Sequence, residues 1–152
     1  MATKHHHDTG VARALKTYVK LMRASESITS RVHKHLSSLG LTVSQFGVLE
    51  AIYHLGPLSQ RGIGQKILRS SGNITMVIDN LEKRRLVRRK RDTSDRRSFI
   101  VHLTGEGQKL IHKIFPSHAA LITDGLSVLN RNDQIILGNL CKKVGKGLNT
   151  RI

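Results

Sequence analysis

Apolar side chains recur at intervals of three and four residues along most of this chain, and that spacing is the period of an amphipathic helix. The first such pattern covers residues 11–36 and stops before Gly40, which can adopt the left-handed conformation common just after a helix. Thr42 and Gln45 then form a capping box in front of a second apolar run, which Gly and Pro at 56–57 interrupt. The sequence therefore predicts one long helix followed by a shorter one.

Two further helical patterns follow, and both are short. The first would begin after Ser59 and turn Ile63 and Ile67 inward. The second carries apolar residues at positions i, i+3, i+4 and i+7, and Ser70 or Ser71 can cap its first turn. Its opposite side is polar but mostly uncharged, which suits the base edges of a DNA major groove better than bulk solvent. That side consists of Ser71, Asn73, Thr75, Met76, Asn80 and Lys83.

A basic β-hairpin is predicted after these helices. Residues 87–91 read Val-Arg-Arg-Lys-Arg, and apolar residues alternate on the return strand at Phe99, Val101 and Leu103, so one face would pack inward. Between the strands, residues 92–95 supply Asp, Thr and Ser side chains that bond their own backbone in turns. Two short helices followed by such a hairpin resemble a winged helix-turn-helix, whose second helix reads the major groove while the wing enters the adjacent minor groove.

The remainder of the chain reads as two more helices. Thr104 would cap the first, and its apolar stripe continues past Pro116, so we expect a long helix that kinks or splits at the proline. Asn130 or Asn132 would cap the last helix, which carries Cys141 on its apolar side. The predicted fold class is thus mainly α with a small β-wing (α+β).

The helices at the two ends of the chain are not needed to fold a winged helix. Their apolar stripes need a partner, and a second copy of the chain would supply one. We therefore expect helical dimerisation regions at 11–40 and 104–152 around a DNA-binding domain at 41–103. Residues 1–10 would be a disordered N-terminus or the remnant of a tag, because three histidines at 5–7 fit either a native or a cloned origin.

Charge is the strongest global signal in the sequence. The chain has 152 residues and a formal net charge of +16, so we expect an anionic partner, with nucleic acid first and an anionic membrane surface second. No apolar run approaches the roughly 18–20 residues needed to cross a bilayer, and no secretory pattern opens the chain. A single cysteine excludes an intrachain disulfide and fits a reducing cytosol. The sequence therefore predicts a cytoplasmic protein that binds double-stranded DNA and no membrane.

Taken together, the motifs resemble the MarR family of bacterial transcription regulators over nearly the whole chain. The resemblance rests on Leu-Thr-x-x-Gln-Phe at 41–46, Ser-Ser-Gly-Asn-Ile-Thr at 70–75, and a wing signature made of Asp-x-Arg at 95–97 and Leu-Thr-x-x-Gly at 103–107.

Two further segments, residues 67–75 and 114–118, resemble the branch of the family that holds quinone- and hydroquinone-responsive repressors. The family resemblance implies a two-fold homodimer joined through its terminal helices. Such a dimer places its two reading helices about one DNA turn apart, ~34 Å, on a pseudo-palindromic operator.

Basic residues are concentrated at positions 83–97. A solvated surface is the usual explanation of such a run, but its place beside a helix-turn-helix pattern favours contact with phosphates or a groove. The resemblance implies that Arg97, or Arg96 beside it, enters the minor groove, and that Asp95 holds Arg97 through a charge-assisted pair. Arg84, Arg88 and Arg89 would touch phosphates or brace the wing. Asn73 and Thr75 would contact bases or cap the helix. The candidate DNA contacts are Ser70, Ser71, Asn73, Thr75, Met76, Lys83, Arg88, Arg89, Arg96 and Arg97.

An effector site is implied by the same resemblance, because family members often bind small aromatic or phenolic molecules between the dimerisation arm and the winged helix. Helices one, two and five would line it here. The candidates lie near apolar stripes, where a place in the core is the commoner role: Met22, Phe46, Leu49, Tyr53 and His112.

Cys141 is a candidate for sensing oxidants or quinones, since Lys142 and Lys143 flank it and would favour its thiolate. Its place on an apolar stripe argues against that role. The best-known peroxide sensors of the family carry their reactive cysteine near the first helix, where this chain has none.

Metal-binding and catalytic motifs are not found. Outside the histidines at 5–7, no two histidines stand at i and i+4, and there is no Cys-x-x-Cys. The sequence also lacks a His-Glu-x-x-His, a P-loop, a Gly-x-Ser-x-Gly and a dinucleotide fingerprint. We therefore expect a transcriptional regulator, most simply a repressor, that is not an enzyme and needs no cofactor. The alternative is a basic architectural protein that binds DNA or RNA without an effector.

Overall fold

Residues 9–67 and 73–149 are described by a computed structural model of the chain. Most of them are helical, and the strands form one small sheet, so the predicted class of a mainly α protein with a small β-wing is confirmed. The elements are α1 Thr9–Ser38, α2 Val43–Leu55, β1 Leu58–Ser59, α3 Gln60–Lys66, α4 Ile74–Lys83, β2 Val87–Arg91, β3 Phe99–Leu103, α5 Gly105–Leu126 and α6 Arg131–Asn149.

Some predictions fall outside the described residues. They are the roles of Ser70 and Ser71, most of the N-terminal segment 1–10, and the last residues of the region 104–152. Residues 9 and 10, which were expected to be disordered or part of a tag, are the first residues of α1 instead.

Most helix ends follow the capping signals in the sequence. Thr42 and Gln45 form the predicted capping box, with the backbone N–H of Gln45 donating to Thr42 Oγ1 at 3.1 Å and that of Thr42 donating to Gln45 Oε1 at 3.0 Å. Ser59 caps α3 and Thr104 caps α5, as predicted. Asn73 caps α4, as the capping alternative for this residue predicted: its Oδ1 accepts the N–H of Met76 at 3.1 Å, and the helix begins at Ile74. The predicted cap at Ser70 or Ser71 is therefore wrong.

The hydrophobic core is aliphatic and centres on α2, which packs against α1, α3, α4, α5 and β3. The fully buried side chains come from every one of the elements α1 to α5 and from both hairpin strands. They are Leu36, Val48, Leu49, Ile63, Ile78, Leu81, Val87, Val101 and Ile111.

The sheet has the strand order β1-β3-β2 and is antiparallel throughout. Val87 pairs with Leu103 and Arg91 with Phe99, which confirms the predicted hairpin; its residues 87–103 are called the wing below. The strand β1 was not predicted, because its two residues are too few to show an alternating pattern. Phe99 was expected to pack inward, but it is exposed at the far end of the wing, where the guanidinium of Arg91 lies 5.7 Å from its ring centroid.

The last two helices have different surroundings. Helix α5 runs unbroken through Pro116, so the chain does not split there. Helix α6 begins after Asn130, whose Oδ1 accepts the N–H of Asp133 at 2.9 Å. Within the described chain, α6 buries none of its side chains, and its apolar residues Leu140 and Val144 are more than half exposed.

The start of α5 packs directly on the turn between α4 and β2. Gly107 is buried there, and a Cβ atom at this position would overlap the carbonyl oxygen of Leu86. That carbonyl is held in place because it accepts the N–H of Thr104 at 3.1 Å, and Thr104 Oγ1 in turn donates to the carbonyl of Arg85 at 2.5 Å. This close approach of two backbone segments explains the glycine in the Leu-Thr-x-x-Gly motif.

Among the described residues, no helix combines the length and the apolar composition that crossing a membrane requires.

Candidate nucleic-acid interface and internal cavity

The outward side of α4 is polar and accessible. Asn73, Thr75, Met76 and Lys83 are all exposed, which agrees with their predicted place on the outer side of the second short helix. Asn73 uses its carbonyl oxygen as the helix cap, so its NH₂ group is the part that remains to donate elsewhere. Thr75 has a hydrogen-bond partner within the protein, because Gln60 Nε2 of α3 donates to its hydroxyl oxygen at 2.6 Å.

The wing presents a cationic edge to solvent. Its tip is shaped by two short carboxylate side chains that bond the backbone ahead of them: Asp92 Oδ1 accepts the N–H of Ser94 at 2.9 Å, and Asp95 Oδ1 accepts the N–H of Arg97 at 3.0 Å. The Ser94 N–H and hydroxyl lower the pKa of Asp92 below its usual value. The exposed basic residues of the wing are Arg88, Lys90, Arg91, Arg96 and Arg97.

The predicted ion pair between Asp95 and Arg97 is wrong. The ion pairs of the described residues do not include either side chain, because the carboxylate of Asp95 is used in the turn, where it binds the backbone of Arg97 and not its guanidinium. The guanidinium of Arg97 is therefore left exposed at the tip, as is that of Arg96.

Arg89 differs from its neighbours, because its side chain is only 17% exposed and lies between the wing and α4. Its guanidinium pairs with Asp79 Oδ1 at 2.6 Å and with Glu82 Oε2 at 2.7 Å, and it donates to the carbonyl of Thr75 at 3.4 Å. The other oxygen of Glu82 accepts the backbone N–H of Arg89 at 3.1 Å. This arrangement clamps the wing to α4, so it favours the bracing role of Arg89 over a phosphate contact.

A cavity of about 890 Å³ lies between α1, α2 and α5 and reaches the end of α3. Its wall is mainly apolar, but Glu50, His54, Lys66 and His118 also line it. The ring of Phe46 packs on that of His118 with centroids 4.4 Å apart. A volume of this order fits a small organic molecule.

His118 is the polar group of this cavity whose position is most informative. Its Nδ1 is buried and finds no hydrogen-bond partner among the described residues. Burial lowers the pKa of His118 below its usual value, against a smaller raising effect of Glu50, and this favours the neutral ring. A neutral imidazole with a buried, unpaired nitrogen is costly unless a bound group supplies the missing hydrogen bond.

Four of the five predicted effector residues lie outside this cavity, and only Phe46 lines it. Leu49 is fully buried in the core, and Met22 is exposed on α1 one turn before the cavity begins. The hydroxyl of Tyr53 and Nδ1 of His112 are hydrogen-bonded to each other at 3.1 Å, away from the lining. His118 was not among the predicted effector residues, although it lies four positions after Ile114 and so continues the apolar stripe of α5.

Cys141 lies exposed on α6 and is not part of the cavity wall. Among the described residues, no three His, Cys, Asp or Glu side chains are close enough together to hold a metal ion.

Comparison with known proteins agrees with this geometry. The sequence profile of the MarR family matches residues 41–99. The chain is 40% identical over 133 residues to the HTH-type transcriptional regulator MhqR of Bacillus subtilis, an alignment that covers 88% of this chain and 92% of that protein.

Two solved structures have a similar fold. One is Sco3205 from Streptomyces coelicolor, a MarR family regulator in complex with DNA, with a TM-score of 0.82, 20% identity, and coverage of 90% of this chain and 88% of that chain. The other is Bordetella bronchiseptica BpsR, whose DNA binding is regulated by 6-hydroxynicotinic acid, with a TM-score of 0.76, 24% identity, and coverage of 86% and 98%.

The two short helices and the three-stranded sheet therefore define a winged helix-turn-helix. The chain belongs to the MarR family of DNA-binding transcriptional regulators, a class of regulators and not of enzymes.

Proposed function

We propose that this protein is a homodimeric repressor that binds a pseudo-palindromic duplex operator and is released from it by a small phenolic or aromatic molecule. The observation that carries the DNA-binding part is the exposed, arginine-tipped wing clamped beside the exposed polar side of α4. In this proposal α4 is the reading helix in the major groove, and the wing tip enters the neighbouring minor groove.

The clamp made by Arg89 supports the proposal that the wing and α4 bind DNA together, because it holds the wing against the reading helix in the absence of DNA. A preorganised pair of contact elements loses less conformational entropy on binding than two independent ones. The net charge of +16 adds a long-range attraction to the phosphates, and that attraction weakens with salt.

Replacing Arg97 with alanine tests the wing contact. The exposed guanidinium at the tip would release about one counterion on binding, so Arg97→Ala should weaken operator binding and reduce the slope of log K against log salt by roughly one unit. Fluorescence anisotropy titrations at several salt concentrations measure both quantities. Lys113→Ala, which removes one positive charge from an exposed site on α5, is the control and should keep the slope. A slope that Arg97→Ala leaves intact would remove this arginine from the interface.

A second copy of the chain is the partner we propose for the exposed apolar sides of α1 and α6. The N-terminal half of α1 exposes Leu15, Tyr18, Val19 and Met22, and α6 is exposed along its whole described length. Two amphipathic helices at opposite ends of one chain can be covered in a two-fold dimer. Both chains then contribute the same surface to the interface, so the exposed apolar residues of each chain are covered by those of the other. The two reading helices would thereby be joined at a fixed separation.

The effector part rests on the unpaired Nδ1 of His118 in a cavity of about 890 Å³. A phenolic hydroxyl can donate to this nitrogen while its ring packs on Phe46 and the aliphatic wall. BpsR offers a parallel, since the molecule that regulates its DNA binding is a small hydroxylated aromatic acid. Because the cavity lies between α1, α2 and α5, a ligand in it would favour one orientation of the terminal helices relative to the winged helix.

Replacing His118 with leucine tests this site. Loss of one neutral hydrogen bond should weaken ligand binding by roughly five- to tenfold, while operator binding without ligand is kept. We would screen phenol, catechol, hydroquinone and benzoate by thermal shift and then measure release from the operator. His112→Leu is the matched control, since His112 lies outside the cavity, and its response should be normal. If no phenol stabilises the unaltered protein, or if His118→Leu responds as strongly, the site assignment fails.

Gel shifts on selected and random duplexes separate this function from that of a basic architectural protein. A regulator should prefer its operator by ~10³ or more. Equal affinity for every duplex, or for RNA, would favour the architectural alternative.

A further inference from the structure

Thr75 is held from two sides at the start of α4. Gln60, the first residue of α3, donates from Nε2 to the hydroxyl oxygen of Thr75 at 2.6 Å. The carbonyl oxygen of Thr75 accepts from the clamped guanidinium of Arg89 at 3.4 Å. Thr75 is nevertheless exposed, so a residue on the outer side of the reading helix is fixed in position by two other elements.

The bond from Gln60 also limits what the hydroxyl of Thr75 can offer. A threonine hydroxyl carries one proton and two lone pairs. The amide N–H of Gln60 occupies one lone pair, so the hydroxyl proton cannot point at the same nitrogen and is turned away from it. Thr75 therefore presents outward the hydroxyl proton and one remaining lone pair, in an orientation that Gln60 fixes, with its methyl group beside them.

Bases differ in the groups with which they meet such a hydroxyl and methyl group in the major groove. Guanine offers N7 and O6, adenine offers N7 and thymine offers O4, whereas cytosine presents only the N4 amino group, which is itself a donor. Thymine gains further from contact between its methyl group and that of threonine.

We propose that Gln60 is a specificity-determining residue although it lies on α3 and not on the reading helix. By fixing the hydroxyl and the methyl group of Thr75 in one orientation, it makes each half-site discriminate at the base facing Thr75, with thymine favoured because its O4 and its methyl group match these two groups. This inference rests on the proposed function, because it requires α4 to read the major groove.

Selection of binding sites from random duplex DNA tests the proposal with three variants. Gln60→Met and Thr75→Val should relax the same single position of each half-site by roughly tenfold, and the double variant should relax it no further. Gln60→Glu should shift the preference away from thymine, because its carboxylate can only accept and would take the hydroxyl proton of Thr75. The oxygen of Thr75 would then accept from a base, so cytosine N4 or adenine N6 becomes favoured.

The controls separate specificity from stability and from charge. Gln65→Met, an exposed glutamine on the same helix, should select the same sequence as the unaltered protein. Thermal unfolding midpoints should be similar for all variants, and preferences at the other positions should be unchanged. Since Gln60→Glu adds a negative charge that weakens all binding, base preferences and not affinities are compared.

Different results would overturn different statements. If Gln60→Met keeps the full preference at every position, or relaxes all positions equally, Gln60 does not determine specificity even though the regulator reads DNA. If Gln60→Glu still favours thymine, residue 60 does not set the orientation of the Thr75 hydroxyl. If the unaltered protein selects no sequence at all, the proposed function fails, and this inference fails with it.

Discussion

Leu140→Asp should convert the protein into a monomer and lower its affinity for an operator by about 100-fold or more, because joining two binding modules raises avidity by about 10²–10⁴. Leu140 is 56% exposed on α6, a helix that buries no side chain within the described part of its own chain. The substitution should therefore leave the fold of each chain intact. In a two-fold dimer it would place one carboxylate from each copy in a covered apolar contact, which is strongly unfavourable.

Analytical ultracentrifugation would give the oligomeric state, and anisotropy titrations on a full operator and on a half-site would give the affinities. Asn139→Asp is the matched control, since it adds the same charge to the neighbouring residue, which lies about 100° around the helix from Leu140. It should remain dimeric. The monomeric variant should bind the full operator and the half-site almost equally. A dimer that persists in Leu140→Asp would show that α6 does not form the interface.

Gly107→Ala should destabilise the protein by about 3 kcal/mol, which corresponds to a decrease of roughly 10 °C in the unfolding midpoint for a chain of this size. The added Cβ would overlap the carbonyl of Leu86. That carbonyl accepts the N–H of Thr104, so relief of the overlap would break the hydrogen bond that joins the end of the wing to the turn after α4. The expected sign is the reverse of the usual one, because alanine normally stabilises a helix by about 1 kcal/mol over glycine.

Gly105→Ala provides the comparison for this prediction. It lies in the same first turn of α5, but a Cβ atom there would meet nothing within 4 Å. Thermal unfolding followed by circular dichroism should find it as stable as the unaltered protein or slightly more stable. If Gly107→Ala were as stable as Gly105→Ala, the backbone of α5 could not lie as close to the carbonyl of Leu86 as the structure places it.

Helices and their ends could be predicted from the sequence because their signals are local. Thr42, Ser59 and Thr104 each cap a helix by accepting the N–H of the residue three positions later in the chain. An apolar stripe likewise indicates a helix from a single short segment of sequence. The wing could be predicted for the same reason, since its two strands are close in sequence and alternate in polarity.

Contacts between elements could not be predicted from the sequence in the same way, because they depend on how distant segments pack together. The clamp of Arg89 needs the turn at Arg85, whose φ of +59° lies in the left-handed region and carries no clear sequence signal. The strand β1 exists only because Leu58 and Ser59 meet β3 more than 40 positions later in the chain.

The cavity illustrates the same limit at the level of single residues. His112 and His118 both lie on α5, but six residues correspond to about 240° around a helix, so they face different neighbours. The sequence pattern led to His112, which bonds Tyr53, and the structure brings His118 to Phe46 and Glu50. The right helices were predicted, but the rotation of α5 against α2 decides which histidine a ligand would meet.

Because Arg89 ties the wing to α4 within each chain through its pairs with Asp79 and Glu82, we expect the two elements to move together. In the proposed mode of binding, the number of base pairs between the minor-groove and major-groove contacts of a half-site should then be constant, without insertions or deletions. Spacing between half-sites has no such constraint from within one chain, since it depends on how two chains are joined. Natural operators of this regulator should accordingly keep the internal phasing of each half-site constant, while the distance between the half-sites is fixed separately by the dimer interface.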